Sequence, residues 1–121
     1  MLSQDLRSMG SRITIAREVV PVVIDVSSDT DEGTKDISVN GEVKQIVVTV
    51  PQLKGSGTTV TVQLRNEDGA VLDTKAALAE NGITVYRPTA VTVLCGVTTV
   101  YVLASAAQDE DMEIEVALYL K

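Results

Sequence analysis

The segment MEIEVALYL at 112–120 sets Met112, Ile114, Val116, Leu118 and Leu120 at every second position, with Glu113, Glu115, Ala117 and Tyr119 between them. A period of two belongs to a strand, whose side chains point alternately to its two faces; a helix would scatter these five apolar residues around its circumference. The same rhythm runs from Thr58 to Arg65. There Val60, Val62 and Leu64 point one way, and Thr59, Thr61, Gln63 and Arg65 the other. Such half-apolar strands must cover one face, and in an antiparallel fold they do so by packing sheet on sheet.

The residue types agree with the pattern. The chain has no Phe and no Trp, its only aromatics are Tyr86, Tyr101 and Tyr119, and Val and Thr are abundant. β-Branched side chains are stiff at their first torsion and fit a pleated surface, which favours strands. With 121 residues and 45% hydrophobic content, the chain is long enough for one domain with a core of Val, Ile and Leu.

Read along its length, residues 1–12 are polar, with a hinge at Gly10-Ser11. Strand character begins at Ile13 and Ile15 and continues through Val19 to Val26. Pro21 lacks an N–H for the ladder and so marks an edge or a break. Ser27 to Asn40 reads as a loop closed by the turn dipeptide Asn40-Gly41, and Val43 to Val50 as a strand ended by Pro51. Asn66-Glu67-Asp68-Gly69 reads as a hairpin turn, with a return strand at Ala70 to Lys75. Ala76 to Glu80 suggests one helical turn, closed by Asn81-Gly82 in a left-handed cap. Strands are expected at Ile83 and Val85 and at Ala90 to Leu94, with a break at Arg87-Pro88. Gly96 is read as a turn into a strand from Val97 to Ala104, followed by a loop over Ser105 to Asp109. Seven or eight short strands with turn signals between them define an all-β, antiparallel β-sandwich, jelly-roll-like in its rhythm. The division is an N-terminal arm at 1–18 and a sandwich domain at 19–121.

The charge is −7 and uneven. Within 1–18, Arg7, Arg12 and Arg17 stand against Asp5 and Glu18, a net of +1, which leaves −8 for the rest. An acidic body argues against nucleic acid, whose phosphates need clustered Lys and Arg, and against an anionic membrane surface. A mildly basic arm fits acidic protein surface, including copies of the same chain. The opening MLSQDLRSMGSR lacks the apolar core of a signal peptide, and no apolar run is long enough to span a membrane.

Histidine is absent, which removes the commonest general base and metal ligand, and no cofactor is expected. Cys95, the only cysteine, lies in the apolar run Val91 to Cys95 and reads as a small buried hydrophobe. Gly55-Ser56-Gly57 lacks the helix and the Lys-Ser/Thr pair of a phosphate loop. Asp29, Asp31, Glu32 and Asp36 faintly echo a calcium loop without its spacing, and a solvated acidic loop accounts for them equally well. Asp109, Glu110, Asp111, Glu113 and Glu115 form a second acidic group, whose strand members keep a sheet face wet. A glycosidase pair among them would need sugar-stacking aromatics that this chain hardly has.

Three segments carry a resemblance to known proteins: VKQIVVTVPQL at 43–53, VTVQLRNEDGAVLDTKAALAENG at 60–82 and VTTVYVLASAAQDEDMEIEVALYL at 97–120. Together they resemble the small β-sandwich structural proteins of tailed bacteriophage virions, of the capsid decoration (cement) type. The resemblance covers about two thirds of the chain and carries over no catalytic residue. It implies a non-enzymatic virion protein, made in the host cytoplasm and sited on the capsid surface. Its implied partners are the major capsid protein or another virion protein, and copies of itself, with a trimer first. Arg7, Arg12, Arg17 and Tyr119 are then the partner-binding candidates, the arginines on an arm that reaches acidic coat surface. A tail, head-tail or fibre module is the alternative within this class. An extracellular carbohydrate- or surface-binding domain is the alternative outside it, and it would need the three tyrosines in one exposed patch.

Overall fold

The structure, a computed structural model, describes residues 18–27, 31–53, 57–106, 108 and 111–121. These form seven strands: β1 (Glu18–Val26), β2 (Glu32–Val50), β3 (Thr59–Asn66), β4 (Val71–Ala79), β5 (Gly82–Tyr86), β6 (Val93–Ala104) and β7 (Met112–Leu120). All pairings are antiparallel. The expected arm lies outside the described residues except for Glu18, which opens β1.

The 19-residue strand β2 organises the fold. Its first half, Glu32 to Glu42, pairs with β6; its second, from Val43, pairs with β7 and β5. The pairing with β7 slips by one residue between Val43 and Gln45. An inserted residue of this kind bends a strand and increases its twist. One strand therefore serves two layers, β1-β7-β2-β5 (sheet A) and β2-β6-β3-β4 (sheet B).

The alternating apolar residues of both layers meet in a single core. Ile24, Ile46, Val48, Ile114, Val116 and Leu118 come from sheet A, and Val60, Val62, Leu64, Val100 and Val102 from sheet B. The aliphatic sandwich expected from the sequence is thus what the chain forms. Pro21 sits on β1, which among the described residues is an edge strand paired only with β7, so that its missing N–H leaves no broken ladder. The hairpin also falls where expected. Gly69 takes φ 84°, its N–H donates to the Asn66 carbonyl oxygen, and the Asn66 Oδ1 accepts from the N–H groups of Asp68 and Ala70.

Five local readings are corrected. The loop over Ser27 to Asn40 is strand from Glu32 onward, because β6 supplies a partner for every residue through Glu42. Asn40-Gly41 is accordingly inside β2 and is no turn. The helical turn at Ala76 to Glu80 is instead the end of β4, where Leu78 and Ala79 pair with Val60 and Thr59. Ala77, at φ 61°, lies in the segment where that register slips, and pairing with β3 overrides the helix preference of alanine. Asn81 does take the left-handed conformation, φ 54°, at a strand-to-strand turn. Gly96 lies within β6 opposite Val39, and β6 begins at Val93 where a strand from Ala90 was expected.

Candidate interaction surface

The outer faces of both sheets mix polar and apolar side chains, in different arrangements. On sheet B, β2 presents Glu32, Thr34 and Asp36, β6 presents Thr99 and Tyr101, and β3 presents Gln63 and Arg65. These side chains satisfy one another. The Arg65 guanidinium stacks 4.1 Å from the Tyr101 ring centre, and its Nε and Nη2 donate to Gln63 Oε1 at 3.0 and 2.7 Å. The Tyr101 hydroxyl donates to Glu32 Oε2 at 2.8 Å, and Thr99 Oγ1 to Asp36 Oδ1 at 2.7 Å. Partial burial, then the Glu32 carboxylate, raise the Tyr101 hydroxyl pKa above its ordinary value. These polar side chains have their hydrogen bonds made, and β6 also turns Val93, Val97 and Leu103 outward.

Sheet A carries an apolar band on its outer face. The register aligns Pro21, Ala117, Val47 and Val85 in one row across β1, β7, β2 and β5. The next row is Val23, Glu115, Thr49 and Ile83; on the other side lie Val19, Tyr119 and Gln45. Ile83 and Val85 are 68% and 58% exposed, Val19 and Val23 47% and 44%. Large apolar side chains gathered on one face, unlike scattered ones, mark a contact surface.

The band has a charged rim of opposite sign at its two ends. Asp25, Glu113 and Glu115 stand at one end, beside a depression of about 340 Å³ that Val23, Thr49 and Pro51 also line. None of these three carboxylates meets a cation among the described residues. At the other end a groove of about 580 Å³ is lined by Lys44, Gln45, Arg87, Tyr119 and Lys121, with Glu42 the acidic side chain among the described residues that line it. Glu42 pairs with Lys44 at 3.0 Å, a half-exposed ion pair that contributes little.

Of the partner-binding candidates, Tyr119 lies on this face and lines the groove. Arg7, Arg12 and Arg17 lie outside the described residues. The three tyrosines do not share a patch. Tyr119 is on the outside of sheet A, Tyr101 on the outside of sheet B, and Tyr86 turns inward against the core. Burial, and secondly the Asp73 carboxylate, push the Tyr86 hydroxyl pKa well up, and its oxygen has no hydrogen-bond partner among the described residues.

Two chemical candidates also fall into place. Cys95 is exposed, contrary to its expected burial: Leu94 takes the inward position and alternation turns the thiol out beside Asn40. The acidic segment is drawn into the frame of the fold. Asp31 Oδ1 accepts the Gln108 N–H at 2.9 Å, while Glu32 and Asp36 hold side chains of β6. Asp29 lies outside the described residues. The surface feature that reasoning from single strands missed is the row on sheet A, because its four members come from strands distant in sequence.

The fold and surface define an all-β sandwich with an apolar row across the outer face of one sheet. No protein-family description matches the chain, and no curated protein does. Among solved structures it is similar to a protein of the disulfide-linked pili that form Bacillus endospore appendages, at 17% identity and TM-score 0.48, over 94% of this chain and 96% of that one. It is also similar to VP2 in the subviral particle of infectious bursal disease virus, at 14% identity and TM-score 0.31, covering 83% of this chain and 32% of VP2. Likenesses this distant assign neither partner nor activity.

Proposed function

We infer that this protein is a non-catalytic structural protein that works by protein–protein contact. The observation that carries this reading is the outer face of sheet A. Its row of Pro21, Ala117, Val47 and Val85 puts a continuous apolar line across four strands, beside the exposed Val19, Val23 and Ile83. The finer reading is a capsid decoration protein of a tailed-phage virion, which binds the coat-protein lattice and stabilises it across subunit joints. It rests on the resemblance of residues 43–120 and on the charge contrast between 1–18 and the rest. In this reading Arg7, Arg12 and Arg17 dock on acidic coat surface, and Tyr119 contributes to a contact on the body.

The experiment is co-sedimentation of the full chain with coat-protein shells that lack it, from the virus whose genome encodes it. Saturable binding supports decoration. Deletion of residues 1–18 is expected to abolish binding while the circular dichroism of the sandwich is kept. Absence of binding by the full chain refutes the decoration reading, and binding that survives the deletion refutes the role of the arm.

A further inference from the structure

On β7, β2 and β5 the outward positions are balanced about the apolar row, and on β1 they are so from Val19 to Val23, with Asp25 beyond. On β7 they run Glu113, Glu115, Ala117, Tyr119 and, one residue past the strand, Lys121. Ala117 is central, with two positions on either side. On β5, extended by one residue, they are Ile83, Val85 and Arg87; on β2, Gln45, Val47 and Thr49; on β1, Val19, Pro21 and Val23. The four central residues are the ones the register places in line.

The geometry points to a second copy of this chain as the occupant of this face, packed about a two-fold axis that runs along the Pro21-Ala117-Val47-Val85 row. Such an axis lies between the copies and reverses the strand direction from one to the other, so that each face meets its own image. Ala117, Val47 and Val85 then face their own counterparts. Glu113 meets the second copy's Lys121, Glu115 meets the second copy's Tyr119 hydroxyl, and Val19 meets the second copy's Val23. Each of these contacts occurs twice.

Charge selects this orientation. With the strands of the two copies running the same way about an axis along β7, Glu113 and Glu115 would face their own counterparts and Lys121 would face Lys121. Like charges opposed in this way reject the alternative, and opposite ends brought together favour the two-fold pairing. The central side chains are small, which suits two sheets packed face to face at about 10 Å. Four strands about 4.8 Å apart, with outward positions spanning about 27 Å on β7 and about 14 Å on β1, β2 and β5, make a face of roughly 330 Å². Two copies bury on the order of 700 Å², the size of a weak, transient contact, and so a dimer that forms only at high protein concentration. The inference rests on the structural reading above only in taking contact as the work of this chain.

The test is sedimentation velocity on the full chain from roughly 1 µM to 1 mM, such a dimer forming towards the upper end of that span. The mass is expected to rise from 12.9 kDa towards twice that value. Val85→Glu opposes two carboxylates across the axis and should hold the chain at monomer mass, with its circular dichroism and melting midpoint unchanged. Glu113→Lys and Lys121→Glu should each raise the dimer Kd about tenfold, as for loss of a charge pair, and the double exchange should restore it. A chain that stays monomeric at 1 mM overturns the proposal and leaves residues 1–17 or the coat protein to cover the face. A trimer overturns it, as does a dimer indifferent to Val85→Glu and to the charge exchange. A monomer that still sediments with coat shells defeats the pairing alone; a dimer that ignores the shells defeats the decoration reading alone.

Discussion

Gly33→Ala tests how closely β1 and β2 approach. A Cβ at Gly33 would overlap the carbonyl oxygen of Asp25 and stand 2.9 Å from both the Asp25 carbonyl carbon and Ile24 Cγ2. Carbon atoms at rest keep about 3.5–4.0 Å, so the two strands must part by more than half an ångström. Two of the three obstructing atoms are backbone and cannot rotate away. Gly33 is also held on its other side by the pairing with Val102, and β1 by its register with β7. Inserting a methyl group into a packed site costs about 1–3 kcal/mol, and a backbone obstruction belongs at the upper end. Alanine returns about 0.4–1 kcal/mol by lowering the entropy of the unfolded chain. The expected net loss is about 2 kcal/mol, the difference between these two effects.

Gly69→Ala is the control. Gly69 has φ 84° and open space around its would-be Cβ, so only backbone strain of about 1 kcal/mol opposes alanine there. Urea unfolding followed by circular dichroism reads both. With a slope of about 1.5 kcal/mol per molar, the midpoint should fall by about 1.3 M for Gly33→Ala and about 0.7 M for Gly69→Ala. A Gly33→Ala protein as stable as the Gly69→Ala protein, or within about 0.5 kcal/mol of wild type, would refute the close approach and the steric reasoning behind it.

Tyr86 gives a pH-dependent prediction. Its hydroxyl pKa is raised in the folded protein by burial and by Asp73, so the folded state holds the proton more tightly than the unfolded one. That contribution to stability is fully present below pH 10, the ordinary tyrosine value, and is lost as pH climbs from there towards the folded value. Melting curves between pH 9 and 11 should therefore fall more steeply for wild type than for Tyr86→Phe, and equal slopes would count against the buried hydroxyl. At pH 7 the same substitution should be neutral or stabilising by up to about 1 kcal/mol, because the oxygen it removes has no partner among the described residues. Cys95 should react with a thiol reagent in the native protein, one equivalent per chain, without denaturant. A thiol that reacts only on unfolding would show that β6 presents the other face at this position.

Most of the strand content was legible because strand alternation is a local signal. Thr58 to Arg65 and Met112 to Leu120 contain their own inward and outward faces, and their inward residues are the buried ones. Pro21 announced an edge by lacking a donor. The misread segments are those where local preference and tertiary pairing disagree. Thr34, Lys35, Asp36 and Asn40 have the composition of a loop, yet β6 offers each a backbone partner. Ala76 to Ala79 have the composition of a helix, yet β3 extends past them and a bulge at Ala77 absorbs the misfit. Cys95 was misplaced by one position of alternation, enough to turn a side chain from core to solvent.

The interaction surface divides in the same way. The sequence alone determined that Glu113, Glu115, Ala117 and Tyr119 share a face, and likewise Gln45, Val47 and Thr49, because pleating sends every second side chain to the same side. Only the tertiary structure decided that β1, β7, β2 and β5 lie side by side in a register that lines up Pro21, Ala117, Val47 and Val85. Strand pairing is made by backbone groups that every residue possesses, so neither strand order nor register is written in any single strand. Both are settled by how the two layers close over one core.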